Sequence, residues 1–435
     1  MIFRNTHPGL NLRTLPLLAS ALLLAACDQN TTGEAEEQQV LETITAQAQT
    51  QTYGVENPSS FQRSPVLGWQ LTDLGVTANE PENLAAEQGG QPLLVQLLDT
   101  DRDGTPDRLI TQPPLGANQH DSLTLSVDPK KAAAAAALPA GAQAEVSIKE
   151  GGTWNERHYD GGNFVNVQSV TLPEQYTDHS EWIRYEGPGI ESDKVAYRIY
   201  LDWRNGFDIF GKKKPGLYLQ DIGLDGYDSY HEMADWGADI LKVGDSLGMG
   251  GFGFWDGHKA IRVEQTTGRR ASIIANGPLL SEMEIDYENW QVPGHTTNLK
   301  ATFTMTASSP LVHVSLATTT SLPNMVAGLG KHEAANLLTG EKDGWSYIAT
   351  FGPQTLFDDN LGKFILYRQT NETAVVEDEH NHAVVFGSTE DGADYYFGAV
   401  WAGEANGIQD QTAFEAYLQQ ELERLSSPIV PTMTP

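Results

Sequence analysis

Apolar and polar residues alternate with a period of two through much of this chain, the pattern of strands whose two faces meet different surroundings. Residues 195–203 are the sharpest case: Val195, Tyr197, Ile199, Leu201 and Trp203 fall on one face, Ala196, Arg198, Tyr200 and Asp202 on the other. The first face is built to pack on a second sheet; the second carries charge, with Arg204 next in phase. The same alternation recurs in NLKATFTMTA, LVHVSLATTT, GKFILYRQ and ADYYFGAVWAG, and in the second of these His313 falls in phase with Leu311 and reads as core. Earlier, short runs between turn signals, such as SPVLGWQLTDLG and QPLLVQLLDTDRDGTPDRLITQ, predict a small β-sandwich. A 3.6-residue period predicts two helices, near residues 230–243 and 411–425; the second aligns Phe414, Tyr417, Leu418, Leu422 and Leu425 in one stripe. A run of six alanines closed by Pro139 and Gly141 reads as a linker or one short helix, because so short a run is marginal alone. The expected architecture is mainly β: a small N-terminal β-sandwich over residues 53–143, then a large antiparallel sandwich with few helices over residues 144–435.

The N-terminus changes this picture by adding an anchor. Arg4 and Arg13 precede an apolar run too short to span a bilayer comfortably, and small residues lead to Cys27. Leu24-Ala25-Ala26-Cys27 resembles the bacterial lipoprotein box, so residues 1–26 read as a signal peptide and Cys27 as the lipidation site. Cys27 is the chain's one cysteine, so no disulfide can form within it. Residues 27–52 are polar and free of aromatics, the composition of a flexible tether. The anchor would face the periplasm; Asp28 suggests the inner membrane, with the outer membrane or cell surface as the alternative.

Charge then limits the partners. The formal net charge is −31, which repels nucleic acid and anionic headgroups. An anionic substrate therefore needs a local cluster of cations. One stretch supplies it: Arg184, Lys194, Arg198, Arg204 and residues 212–214 hold over a quarter of the chain's 27 basic residues. Arg198, beside Tyr200 and Asp202 on the polar face of its strand, is the prime candidate. His231 and His332 are the candidate general bases; Asp235, one turn beyond His231 in the expected helix, would orient its ring.

Other motifs matter less. DTDRDGTPDRL places Asp99, Asp101, Asp103 and Asp107 around Gly104, a spacing that can direct oxygens at a structural Ca²⁺ far from any chemistry. Six glycines lie between Gly244 and Gly257, but they lead into Phe252, Phe254, Trp255 and an Asp256-Gly257 turn rather than a helix. That excludes a phosphate loop and predicts a close-packed strand-turn-strand. H-E-x-x-H, C-x-x-C and Walker motifs are absent, and no cofactor for catalysis is expected.

YEGPGIESDKVAYRIYLDWRNGFDIFGKK, WGADILKVGDSLGMGG, GLGKHE and DDNLG resemble the bacterial family of domain of unknown function 4861, over roughly residue 53 to the end. The family's usual Gly-Trp-Glu-Ser reads Gly189-Ile190-Glu191-Ser192 here. The resemblance implies a secreted or lipid-anchored protein, often encoded beside polysaccharide-degrading enzymes. It also implies a galactose-mutarotase-like super-sandwich with a sugar-holding concave face. On that basis the expected activity is elimination, of dehydratase or lyase type, from a uronate-containing oligosaccharide. Arg198 and Lys194 would hold the developing enediolate, and His231 or His332 would take the proton. Arg184, Tyr200, Asp202 and Trp255 would bind substrate. A non-catalytic glycan-binding lipoprotein, a glycoside hydrolase or an epimerase are the alternatives.

Overall fold

The computed structural model describes residues 50–75, 81–227, 229–387 and 392–434. The signal peptide, Cys27, Asp28 and the tether up to residue 49 lie outside them. The chain is mainly β, as its period-two patterning requires, and among the described residues all paired strands are antiparallel.

The N-terminal part pairs Gln51–Glu56 with His120–Val127 in a five-stranded sheet. Gln51 and Thr52 thus already belong to a strand. A three-stranded sheet of Leu67–Gln70, Arg108–Thr111 and Val95–Leu98 packs against it around Tyr53, Trp69, Leu109 and Leu123. The alanine run forms the short helix Pro129–Ala136, started by Asp128, whose carboxylate accepts from the N–H groups of Lys130 and Lys131. Gln96 ties this part to the larger sandwich: its side-chain oxygen accepts from Leu279 and Leu280 N–H, each at 2.8 Å.

The remainder is built on a nine-stranded sheet from Ser169–Thr171 to Leu337–Lys342. One face packs against two five-stranded sheets, one containing Val195–Ile199 and the other Met249–Trp255, over a continuous core that includes Tyr197, Phe207, Phe252, Phe303 and Phe397. The other face is covered by the helix Gln411–Ser426, which lays Phe414, Leu418 and Leu422 on Phe364 and Leu366. The helix predicted near residues 411–425 is therefore present.

The helix predicted near residues 230–243 is not. Residues Ser229–His231 make a single 3-10 turn and Gly237–Asp239 a strand. Gly237 lies at φ +142°, and a Cβ there would run into Gly211 O, so a strand pairing rather than a helical period governs the segment. His313 is also not core: it sits half-exposed on its strand, 3.2 Å from Asp394 and against Tyr396.

The glycine-rich stretch forms the strand Met249–Trp255, turns at Asp256-Gly257, and returns as Ala260–Arg262. Phe252 and Phe254 are buried in the core. Gly248 sits at φ +70° with Phe207 O where a Cβ would be, so only glycine lets the two sheets meet here.

Candidate functional site

The strand Val195–Ile199 buries both faces. Val195, Tyr197 and Ile199 enter the main core as the alternation requires, although Trp203, beyond the strand, is 46% exposed. The polar face does not open onto a hollow. Leu219, Ile222 and Tyr230, from the segment C-terminal to Phe207–Lys212, close over Ala196, Phe210 and Tyr185 as a second core.

Arg198 is held inside this layer, 1% exposed. Its Nη2 donates to Asp208 Oδ2, Asp239 Oδ2 and Tyr200 Oη, each at 2.8 Å, and its Nη1 to Tyr230 Oη at 2.9 Å. The register explains the first pair, since Arg198 lies directly opposite Asp208 across the strands. Three other cations of the stretch are matched by acids as well. Arg184 pairs with Glu145, Arg204 with Asp202 and Glu186, and Lys212 with Glu191. Lys194 lies at the surface, 3.8 Å from Asp193. The expected hollow of free positive charge is thus a set of internal ion pairs, as a buried cation demands. Arg184, Arg198 and Asp202 are buried in these ion pairs, and Trp255 packs beside Val326 and Ala383.

The cleft opens one step along the chain, where residues 240–248 cross from the Arg198 sheet to the Met249–Trp255 sheet. It has two lobes, of about 320 Å³ and about 340 Å³, which share Leu241, Lys242, Val243, Gly244 and Leu356. Leu356, 44% exposed, stands between them.

The first lobe is lined by Tyr200, Arg204, Asp208, His231 and Asp239. Arg198, buried and outside this lining, fixes both carboxylates. His231 is half-exposed, with Nε2 3.4 Å from Asp239 Oδ2, and that carboxylate raises its pKa. The orienting acid is therefore Asp239 rather than Asp235. Burial, together with the neighbouring Asp239 charge, raises Asp208 to about 7. Tyr200 accepts from Arg198 and donates to Asp208 Oδ2 at 2.9 Å; burial, with the Asp208 charge, holds its pKa above the ordinary tyrosine range, so it keeps its proton. The result is a connected row, His231–Asp239–Arg198–Asp208–Tyr200, with both ends at the cleft. It can take a proton at His231 and give one from Asp208, whose pKa is raised, within the same lobe.

The second lobe is lined by Lys242, Asp245, Ser246, Lys331, His332, Thr355, Lys363, Glu379 and His380 among others. His332 Nδ1 accepts from Ala334 N–H at 3.2 Å. The two candidate bases thus stand in adjoining lobes. Sequence reasoning missed Asp208, Asp239, Lys242 and Lys363. A signal existed for two of them: Asp208 in FDIF and Lys363 in GKFILY are charges inside apolar strands, which a fold tolerates only with a partner or a use.

In the Asp loop, carboxylate oxygens of Asp99, Asp101 and Asp103 lie within 4.8 Å of one another. Asp107 turns away and accepts from Thr100 Oγ1 at 2.6 Å. This loop is on the small sandwich, apart from the residues that line the cleft.

The sequence profile of a family described as Domain of unknown function (DUF4861) matches residues 55–430. No curated protein matches the chain. Among solved structures, a protein of glycosyl hydrolase family 38 from Enterococcus faecalis is similar at 11% identity and TM-score 0.44, over 92% of this chain and 50% of that one. An α-mannosidase from Enterococcus faecalis V583 is similar at 11% identity and TM-score 0.45, over 92% and 48%. This chain spans about half the length of each.

Proposed function

The chain belongs to the family of domain of unknown function 4861, and we propose from its cleft that it is an acid–base enzyme acting on a uronate-containing oligosaccharide by elimination. One observation carries this reading: the row from His231 to Tyr200, which offers a proton acceptor and a proton donor on one wall of an open cleft. His231, oriented by Asp239, removes the proton alpha to the sugar carboxylate. Asp208, whose pKa is raised to about 7 by burial and the Asp239 charge, protonates the departing oxygen, whether that leaves as water or as a sugar, and Tyr200 holds Asp208 in place. Arg198 acts as a positioning residue and does not touch substrate. Hydrolysis is less well supported, because a glycosidase needs its two carboxylates on either side of the bond it breaks. Asp208 and Asp239 both lie against the same Arg198 nitrogen.

The test is incubation with glucuronate-, galacturonate- and mannuronate-containing oligosaccharides while following absorbance of the unsaturated product. A rising signal that His231→Asn abolishes is expected. Binding without any signal would favour the glycan-binding alternative, and products without unsaturation would favour hydrolysis.

The same proposal places the protein at a bacterial membrane through lipid on Cys27; among the described residues no helix is long and apolar enough to cross one. Cys27→Ser should release it from the membrane fraction. A Ca²⁺ held by Asp99, Asp101 and Asp103 is proposed too, and no rise in melting temperature on calcium addition after chelation would count against it.

A further inference from the structure

We infer that Lys363 makes the second lobe an anion subsite, which seats the carboxylate of a uronic acid while the adjoining ring atoms reach the His231 lobe. The inference rests on the reading that the cleft takes a uronate. It starts from a contrast between two lysines that are equally buried, at 2% exposure. Lys212 has Glu191 against its ammonium, with Ser192 O and Gly216 O completing its donors. Lys363 donates to Gly330 O at 2.7 Å and has no ion pair among the described residues. An ammonium has three N–H donors, so two remain. Lys363 lines the lobe, and the lobe is where they can be used.

Its surroundings favour an anion. The strands on either side set Thr350 and Ala399 opposite Lys363, and neither titrates. After the strand Met325–Gly330 come Lys331 and His332; the turn before Asn381–Phe386 brings Glu379 and His380; the crossing segment brings Lys242 and Asp245. Lys331 is engaged by Glu377 at 3.1 Å, while Lys242 makes no ion pair among the described residues. His382 beside them has its pKa lowered, first by burial and then by the charges of Lys331 and, more weakly, Lys363. The side chains Ser246 and Thr355 add hydroxyl groups to the same wall. Burial without a counter-charge lowers Lys363 to about 7, so a bound carboxylate would restore its proton. A solely structural Lys363, tying Gly330 to the nine-stranded sheet, would show no preference for charge in a ligand.

Calorimetry separates the two. The probes are disaccharides ending in glucuronate, galacturonate or mannuronate, their neutral methyl esters, and a sulfated neutral disaccharide. The proteins are the full chain and Lys363→Gln, which keeps an N–H donor for Gly330 O. At least one acid should bind the wild type about tenfold or more tightly than its ester, and that preference should vanish in Lys363→Gln. Wild-type binding slightly above neutral pH should also take up protons, seen as heats that depend on the buffer, and the variant should take up fewer. Equal binding of acids and esters, no binding of any probe, or an unchanged preference in a folded variant overturns the inference. If the variant fails to fold, wild-type binding without proton uptake overturns it. A preference for the sulfated sugar over every acid overturns the uronate assignment. The readout is binding, so carboxylate preference without an unsaturated product would keep this inference and discard the elimination.

Discussion

The layer around Arg198 and the lobe around Lys363 treat buried positive charge in opposite ways. In the first, cations dense in sequence meet acids delivered by the neighbouring strands, and the charge is consumed within the fold. In the second, cations distant in sequence, Lys242, Lys331 and Lys363, are gathered by strand ends and turns around a cavity. A local excess of Arg and Lys in an acidic chain therefore reports where ion pairs are needed, and an isolated charge in an apolar strand is the better pointer to a site.

The hardest blow to that contrast is Arg198→Met. It would leave Asp208 and Asp239 facing each other, buried, without their shared donor. Removing one partner of a buried ion pair costs about 3–5 kcal/mol, so urea denaturation should reveal a loss of that order. Asp208→Asn should cost less, because the guanidinium keeps Asp239. Near-wild-type stability of Arg198→Met would mean that the acids are not held as described, and the two regions would no longer differ in kind.

Next is His231→Asn, which probes the exposed end of the Arg198 row rather than its middle. Loss of a general base lowers turnover by about 100-fold or more, whereas a half-exposed side chain with one 3.4 Å contact should shift stability by no more than about 0.5 kcal/mol. The base works deprotonated, and Asp239 raises its pKa. Activity is therefore lost as pH falls through that raised value, and the acidic limb of the rate profile should lie above an ordinary histidine's. A limb below it would detach His231 from Asp239.

The same physics sets how much of this was legible in the sequence. Alternation in residues 195–201 identified the packed face correctly, because burial of Val195, Tyr197 and Ile199 is a local consequence of strand period. The opposite face was misread as open, since what covers it, Leu219, Ile222 and Tyr230, arrives from a loop whose course no periodicity records. The residues 230–243 looked helical from spacing alone, and Gly237 was the overlooked sign against it. His231, Tyr200 and His332 were found as candidates because their types carry chemistry. Asp239 and Lys363 were not, because their importance depends on which strand lies opposite.

The lysine side of the contrast can be tested without any ligand. Burial lowers Lys363 from 10.5 to about 7 in the folded chain. Between those values the unfolded chain binds the proton and the folded chain does not, so stability gains with rising pH. The stability of wild type relative to Lys363→Met should therefore climb through that window. A flat difference would place a counter-charge on Lys363 that the described residues do not supply.

The smallest expected effect is at Lys194. Its ammonium is 3.8 Å from Asp193 with 44% of the side chain exposed, and Asp193 is independently occupied by the N–H of Ser308 at 2.6 Å. Exposed pairs of this kind contribute about 0–1 kcal/mol. Lys194→Ala should thus leave the unfolding midpoint close to wild type, and turnover on uronate oligosaccharides unchanged, because Lys194 does not line either lobe. The measurement is sensitive in one direction. If Lys194→Ala abolished turnover while folding normally, a cation from the sequence-dense stretch would be meeting substrate, and the division between charge spent on the fold and charge kept for the cleft would fail at its simplest point.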